Sequence, residues 1–349
     1  MNSRNKGHWL GVIPPQYIFS NRKFMGIAVN PPDFEPGSWC GAGKALYDSD
    51  LDLYILTSRP RMSKDDKRGF AASIYTSEDG VNNFNLEGSI TKEEIMDLTG
   101  LSIASIEGTQ LIRDPSTNNW YFYPSIDIGE EFVWGGKIWN TLLLTSTDLK
   151  GPWESKGIVL KNDQRYDEYQ ARDCSIDIID GVYFNIYKAM DKNRNRRPGF
   201  ATSLDGIDWK KHGVLTTDGK DECNFLSGSF FEGVNGPMFL GTQMLSNIDP
   251  NVEHEMVDKH NVKHGQSMVQ FCAYTVDYRN LNLETIFRAR WEPTSKYEHP
   301  VHPLLGYSSS LLDPKENRVL MYLEVIDPMT KKMGLNNTVE RVLVFESRF

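Results

Sequence analysis

The chain has 349 residues, 39% of them hydrophobic, with 17 Phe, 15 Tyr and 8 Trp, which is ample material for a folded core and excludes a disordered segment. Its 47 acidic against 38 basic residues give a net charge of −9, which argues against a broad nucleic-acid or anionic-membrane surface and points to a neutral ligand. No run of about 18 apolar residues suggests a transmembrane helix, and the opening MNSRNKGHWLGVIPPQYIF lacks the h-region and cleavage site of a signal peptide, so a cytoplasmic protein is expected. Cys40, Cys174, Cys223 and Cys272 are widely spaced, the pattern of reduced, buried thiols.

Taken in chain order, the sequence repeats one unit five times. An apolar strand, a turn rich in Asp, Asn or Gly, and a second strand heavy in Tyr, Phe and Leu recur from Gly41, Glu107, Arg172, Ser227 and Tyr307. These starts are 55 to 80 residues apart, too far for single hairpins and right for four-stranded antiparallel blades. Third and fourth strands meet at a recurring Ser-x-Asp turn, in TSEDGVNNF, TSTDLKGPW and TSLDGIDW, where Asp can bond its own backbone. The segment TKEEIMDLTG is expected to be helical, with Thr91 and Glu94 at capping-box spacing and Gly100 as its stop. The fourth unit is looser, and the fifth shows only three strands. The missing one is expected from the N-terminal segment Trp9 to Phe19, which would close the ring and remove an exposed edge. The expected fold is therefore all-β: a single five-bladed β-propeller over residues 1–349.

The stretches RDCSIDIIDGVYFNIY, IEGTQLIRDPSTNNWYFY and YILTSRPR with RGFAASIYTSEDGVNNF resemble the five-bladed propeller glycosidases, the superfamily that includes glycoside hydrolase families 32, 43, 62, 68, 117 and 130. The likeness covers nearly the whole chain as architecture, and no single family stands out. It implies catalytic carboxylates at the starts of the innermost strands, hence Glu107 as general acid and Asp173 as base or nucleophile. That chemistry needs two carboxyl groups flanking the glycosidic bond, one protonated and one ionised. One feature departs from the superfamily: where several families place an Asp in the first blade, this chain has Gly41-Ala42-Gly43. Asp177 and Glu324 are the candidates to replace it, Glu324 standing out as an acid in an apolar run, with an ion pair to a nearby Arg as its alternative role.

Other residues are candidates for substrate contact. Arg59 and Arg61 follow a strand end and suit hydroxyl or carboxylate recognition, or else an ion pair with Asp65 and Asp66. Lys188 and Gln243 occupy comparable strand ends, Trp39, Trp134 and Trp139 could stack on a sugar or pack in the core, and His302, rather than His299, could enter the channel. His254, His260 and His264 share one loop without a metal-ligand spacing, so neither a metal nor a cofactor is expected. The expected partner is an oligo- or polysaccharide, without nucleic acid or membrane. The functions to be separated are a glycoside hydrolase, a glycoside phosphorylase with phosphate held by a basic cluster such as Arg59, Arg61 and Lys188, and a non-catalytic glycan-binding propeller. A sialidase fits poorly, because the spacing of the Asp turns differs and no arginine triad is evident.

Overall fold

The computed structural model describes residues 13–62, 67–128, 138–221, 223–234, 236–245, 269–332 and 337–349. Trp134, His254, His260 and His264 lie outside them. The chain is all-β, with two short helices, α1 (Pro15–Ser20) and α2 (Lys92–Thr99). After α1 and β1 (Lys23–Val29) come β2 (Ala42–Asp48), β3 (Leu53–Ser58), β4 (Ala71–Ser77) and β5 (Asn85–Thr91), an antiparallel sheet in chain order. Beyond α2, β6 (Ser105–Arg113), β7 (Trp120–Asp127), β8 (Trp139–Ser146) and β9 (Glu154–Leu160) repeat that order. So do β10 (Gln170–Ile179), β11 (Val182–Met190), β12 (Arg196–Ser203) and β13 (Lys210–Val214). The short strand β14 (Thr216–Thr217) precedes a fourth set, β15 (Cys223–Gly233), β16 (Gly236–Leu245), β17 (Val269–Asp277) and β18 (Asn282–Arg290). The last set is β19 (Leu304–Leu312), β20 (Arg318–Ile326) and β21 (Glu340–Arg348).

The fourth strand of the last sheet is β1, which pairs antiparallel with β21. The N-terminal segment does supply this strand, but not from Trp9 to Phe19: within that stretch residues 15 to 19 belong to α1, and the pairing begins at Lys23. Pro14 and Pro15 account for the shift. Proline lacks the N–H a ladder needs but suits the first turn of a helix, so the strand can start only after that turn.

Local chemistry sets the turns. Asp79 Oδ1 accepts from the Val81 and Asn82 N–H groups at 2.8 and 2.7 Å, and Ser77 Oγ from Gly80 N–H at 3.1 Å. Asp205 and Ser203 repeat this arrangement with Ile207, Asp208 and Gly206. Helix α2 starts with the expected capping box of Thr91 and Glu94 and stops at Gly100, in the left-handed region at φ 69°.

The core is divided among the gaps between sheets. Tyr54 and Leu56 pack with Leu320, Tyr322 and Val344 of the last sheet. Ile55 and Ile74 pack with Leu111, Phe122 and Leu142 of the second. Further clusters join the second sheet to the third (Tyr123 with Tyr187), the third to the fourth (Phe184 with Phe230) and the fourth to the last (Phe271 with Phe345). The first strands of the sets also touch in sequence, β2 to β6, β6 to β10, β10 to β15, β15 to β19 and β19 to β2. All four cysteines are free and buried in these gaps. Among the described residues no helix is long and apolar enough to cross a membrane.

Candidate active site

Each of these first strands carries a register irregularity near its start: between Ala42 and Ala45, Glu107 and Thr109, Arg172 and Ser175, Cys223 and Phe225, and Leu304 and Ser308. A bulge breaks strict alternation and re-aims side chains, and here it does so at the same end of neighbouring strands. At β10 the bulge holds Asp173 at φ 55°, a backbone region that non-glycine residues seldom occupy. At β6 it holds Gly108, where an added Cβ would lie 2.7 Å from Asp173 Oδ1 and 3.1 Å from Asp173 Cα. The Glu-Gly dipeptide is thus explained by a close approach, since only glycine lets the Asp173 carboxylate lie against the backbone beside Glu107.

Both carboxylates are buried, and each is held by its own cations. Arg59 Nη2 reaches Glu107 Oε2 at 2.5 Å, and Arg68 stands 3.9 Å from Glu107 and 3.6 Å from Asp127. Asp173 Oδ2 lies 3.4 Å from Arg172 Nη1 and 3.6 Å from Lys188 Nζ, and accepts a hydrogen bond from the Tyr307 hydroxyl at 2.8 Å. Burial alone would raise the pKa of Asp173, but Arg172, Lys188 and Tyr307 outweigh it and hold the carboxyl below its ordinary range. Burial, with Arg172 alongside, lowers Lys188 well below an ordinary lysine.

Two tryptophans support the guanidinium groups. Arg61 lies over the Trp39 ring at 4.5 Å and Arg59 at 5.4 Å, while Arg172 lies over Trp139 at 4.4 Å and Arg68 at 5.5 Å. Trp39 is itself fixed by its indole N–H, which donates to the Thr338 carbonyl at 2.8 Å. Arg59 and Arg61 are 2% and 4% exposed, so they are interior groups of the site and not surface partners.

Behind Arg59 sits a carboxyl pair. Glu324 on β20 and Glu340 on β21 are both fully buried and lie diagonally on one face of the sheet. Burial raises Glu324 to about 7 against the opposing charge of Arg59. Burial and the neighbouring Glu324 raise Glu340 well above the usual range. Two like groups so placed each disfavour the ionisation of the other.

The fold therefore gathers Glu107, Asp173, Arg59, Lys188 and Trp39, with Glu324 fully enclosed behind Arg59. Gln243 is spent elsewhere: its amide nitrogen donates to Gln270 at 3.0 Å, and its oxygen accepts from the Tyr274 hydroxyl. His302 is buried ring against ring with His299, centroids 5.7 Å apart. Asp177 lies four residues beyond Asp173 on β10, on the order of 13 Å along the strand. Its Oδ2 accepts from Phe230 N–H at 2.8 Å, and burial raises it to about 7. It lines a separate cavity of about 170 Å³ with Gln110 and Arg113. Sequence reasoning missed Arg68, Tyr307 and Glu340 as site residues. Glu340 carried the same signal as Glu324, an acid within an apolar strand, whereas nothing local marks Tyr307.

No sequence family matches this chain, and no curated protein resembles it in sequence. Solved structures do resemble it. Superposition on BT0996 in an RGII complex gives a TM-score of 0.63 at 12% identity over 93% of this chain and 91% of that one. Zg3597, a family 117 glycoside hydrolase from the marine bacterium Zobellia galactanivorans, gives 0.59 at 14% over 95% and 91%. The β-1,2-mannobiose phosphorylase of Listeria innocua, solved with β-1,2-mannobiose, gives 0.56 at 13% over 94% and 96%. The solved structures it resembles include glycoside hydrolases and a phosphorylase. At these identities the likeness is one of fold alone, and no single family is assigned.

Proposed function

We propose that the five sheets are the blades of one five-bladed β-propeller, closed by β1 on β21, and that the mouth at the starts of the inner strands cleaves a glycosidic bond. The observation that carries this reading is the pair Glu107 and Asp173, buried on adjacent inner strands with Gly108 admitting one carboxylate beside the other. Asp173, held ionised by Arg172, Lys188 and Tyr307, is the base or nucleophile. Glu107 gives its proton to the leaving oxygen as the glycosidic C–O bond breaks. Water supplies the new hydroxyl, and its proton returns to a carboxylate. Arg59 stands against Glu107 at 2.5 Å and also faces the charges of Glu324 and Glu340. Glu324 then acts through Arg59 and does not touch the sugar.

The test is a screen of aryl pyranosides and furanosides with and without inorganic phosphate, followed by Asp173→Asn and Glu107→Gln. Asp173→Asn should lower turnover by about 10²–10⁴-fold on every substrate. Glu107→Gln should do so only where the leaving group needs a proton, sparing dinitrophenyl glycosides. Full activity of both variants would sink the assignment. A phosphorylase is the second reading, favoured by Arg59, Arg172 and Lys188 around the carboxylates, and product formation that requires phosphate would establish it in place of hydrolysis.

A further inference from the structure

The net charge of −9 suggests a neutral ligand, yet the mouth concentrates Arg59, Arg61, Arg68, Arg172 and Lys188 in one buried place. The acids among the described residues there are Glu107, Asp127, Asp173, Glu324 and Glu340. A buried cation is costly unless its donors are satisfied. Arg59 has donors to spare: it is 2% exposed, one nitrogen serves Glu107, and its Nε and Nη1 find no acceptor among the described residues. Arg61 lies over the Trp39 ring and Arg172 over Trp139, Arg172 being oriented by its Nε, which donates to Gln170 Oε1 at 3.0 Å, and guanidinium forks of this kind suit a planar oxyanion. Lys188, packed on the Phe225 ring at 4.8 Å, completes the other side.

We propose that the glycan bound at this mouth carries an oxyanion on the sugar, a uronic-acid carboxylate, received by Arg59, Arg172 and Lys188. This rests on the reading of the site as carbohydrate-binding and goes beyond it in naming the class of sugar. An incoming carboxylate would also oppose the burial and the Arg172 charge that lower Lys188. The same oxyanion chemistry could come from free phosphate, so the experiment separates the two sources.

Methyl glucuronoside and methyl galacturonoside, their neutral counterparts methyl glucoside and methyl galactoside, and inorganic phosphate are titrated separately into the full chain by calorimetry. At least one uronoside should bind about tenfold or more tightly than its neutral counterpart, the factor that about 1.4 kcal/mol supplies, and the preference should weaken with added salt. Lys188→Met should cut that preference by about tenfold, and Lys188→Arg should restore most of it, which separates loss of charge from loss of folding. Equal or tighter binding of the neutral sugars, binding of phosphate without the uronosides, or no binding of any of them each overturns the proposal. Turnover of matched aryl substrates tells its failure from that of the enzymatic reading. Neutral aryl glycosides cleaved while uronides are ignored leaves a glycosidase without this specificity, whereas a uronoside bound and never cleaved leaves the specificity without the hydrolase.

Discussion

Glu324 offers a direct test of the buried electrostatics, because its titration should be written into the stability of the protein. Its carboxyl rises from 4.5 to about 7 in the folded chain, through burial first, and faces Arg59, Glu107, Glu340 and the backbone of Tyr307. Glu340 in turn faces Arg61 as well as Arg59, and the buried Cys40 thiol sees both acids. An acid whose folded pKa is raised stabilises the fold fully below its unfolded value, and that contribution is lost as pH rises through the folded one. The window runs from about pH 4.5 to 7, and a shift of this size is worth about 3 kcal/mol, nearly all of it lost between pH 5 and pH 8. Glu324→Gln keeps the shape of the side chain and cannot titrate. Urea unfolding of both proteins at pH 5 and pH 8 should therefore show the variant gaining about 2–3 kcal/mol on the parent at the higher pH. Asp177, also raised to about 7, is present in both proteins and cancels from the comparison. The same difference between variant and parent at the two pH values would refute the raised titration of Glu324.

Three other perturbations probe the site and its frame. Tyr307→Phe removes a hydroxyl that donates to Asp173, so the Asp173 carboxyl should titrate higher and the acid limb of the pH–rate profile should move up by about one unit; an unmoved limb would detach Tyr307 from the chemistry. Gly108→Ala puts a methyl group 2.7 Å from Asp173 Oδ1 and should cost about 1–3 kcal/mol in chemical denaturation together with most of the turnover. A substitution that leaves both intact would contradict the close approach. Deleting the chain through Val29 uncovers the edge of β21 and should yield an aggregating product in sedimentation, while a soluble, cooperatively folding monomer would show that the β1 pairing is dispensable.

What could be read from the sequence was local. The Ser-x-Asp turns were visible because Asp79 and Asp205 bond N–H groups two and three residues ahead, and the helix because Thr91 and Glu94 cap each other. The partner of β1 was less legible, since Lys23–Val29 is a short, mostly apolar run whose mate lies at the far end of the chain. Long-range pairing leaves no local periodicity to follow. Glu107, Asp173 and Arg59 could be singled out because each sits at a strand start or end. Their neighbours could not: Arg68 follows a loop, Tyr307 belongs to the last sheet, and Trp139 looked as much like core as site. The clustering of buried cations was hidden altogether by the net charge, which sums over the whole chain.

The absence of a carboxylate at Gly41-Ala42-Gly43 now has a physical account. At Gly43 an added Cβ would lie 2.1 Å from Thr57 Oγ1 and 2.5 Å from Thr109 Oγ1, so the neighbouring strands already fill the space a side chain there would need. The next residue, Lys44, turns inward in its place. Its Nζ donates to Ser227 Oγ at 2.9 Å and to the Ser308 carbonyl at 2.8 Å, tying β2 to β15 and β19. Burial lowers it to about 7, against the opposing pull of Asp177 and Asp173. The first set of strands thus buries a cation between β15 and β19, and its Arg59 and Arg61 stand beside Trp39, with Arg59 paired to Glu107. Any acid–base chemistry there has to be divided among the carboxyl groups of the second, third and fifth units. Arg59 links these groups, pairing with Glu107 at 2.5 Å while facing the charges of Glu324 and Glu340.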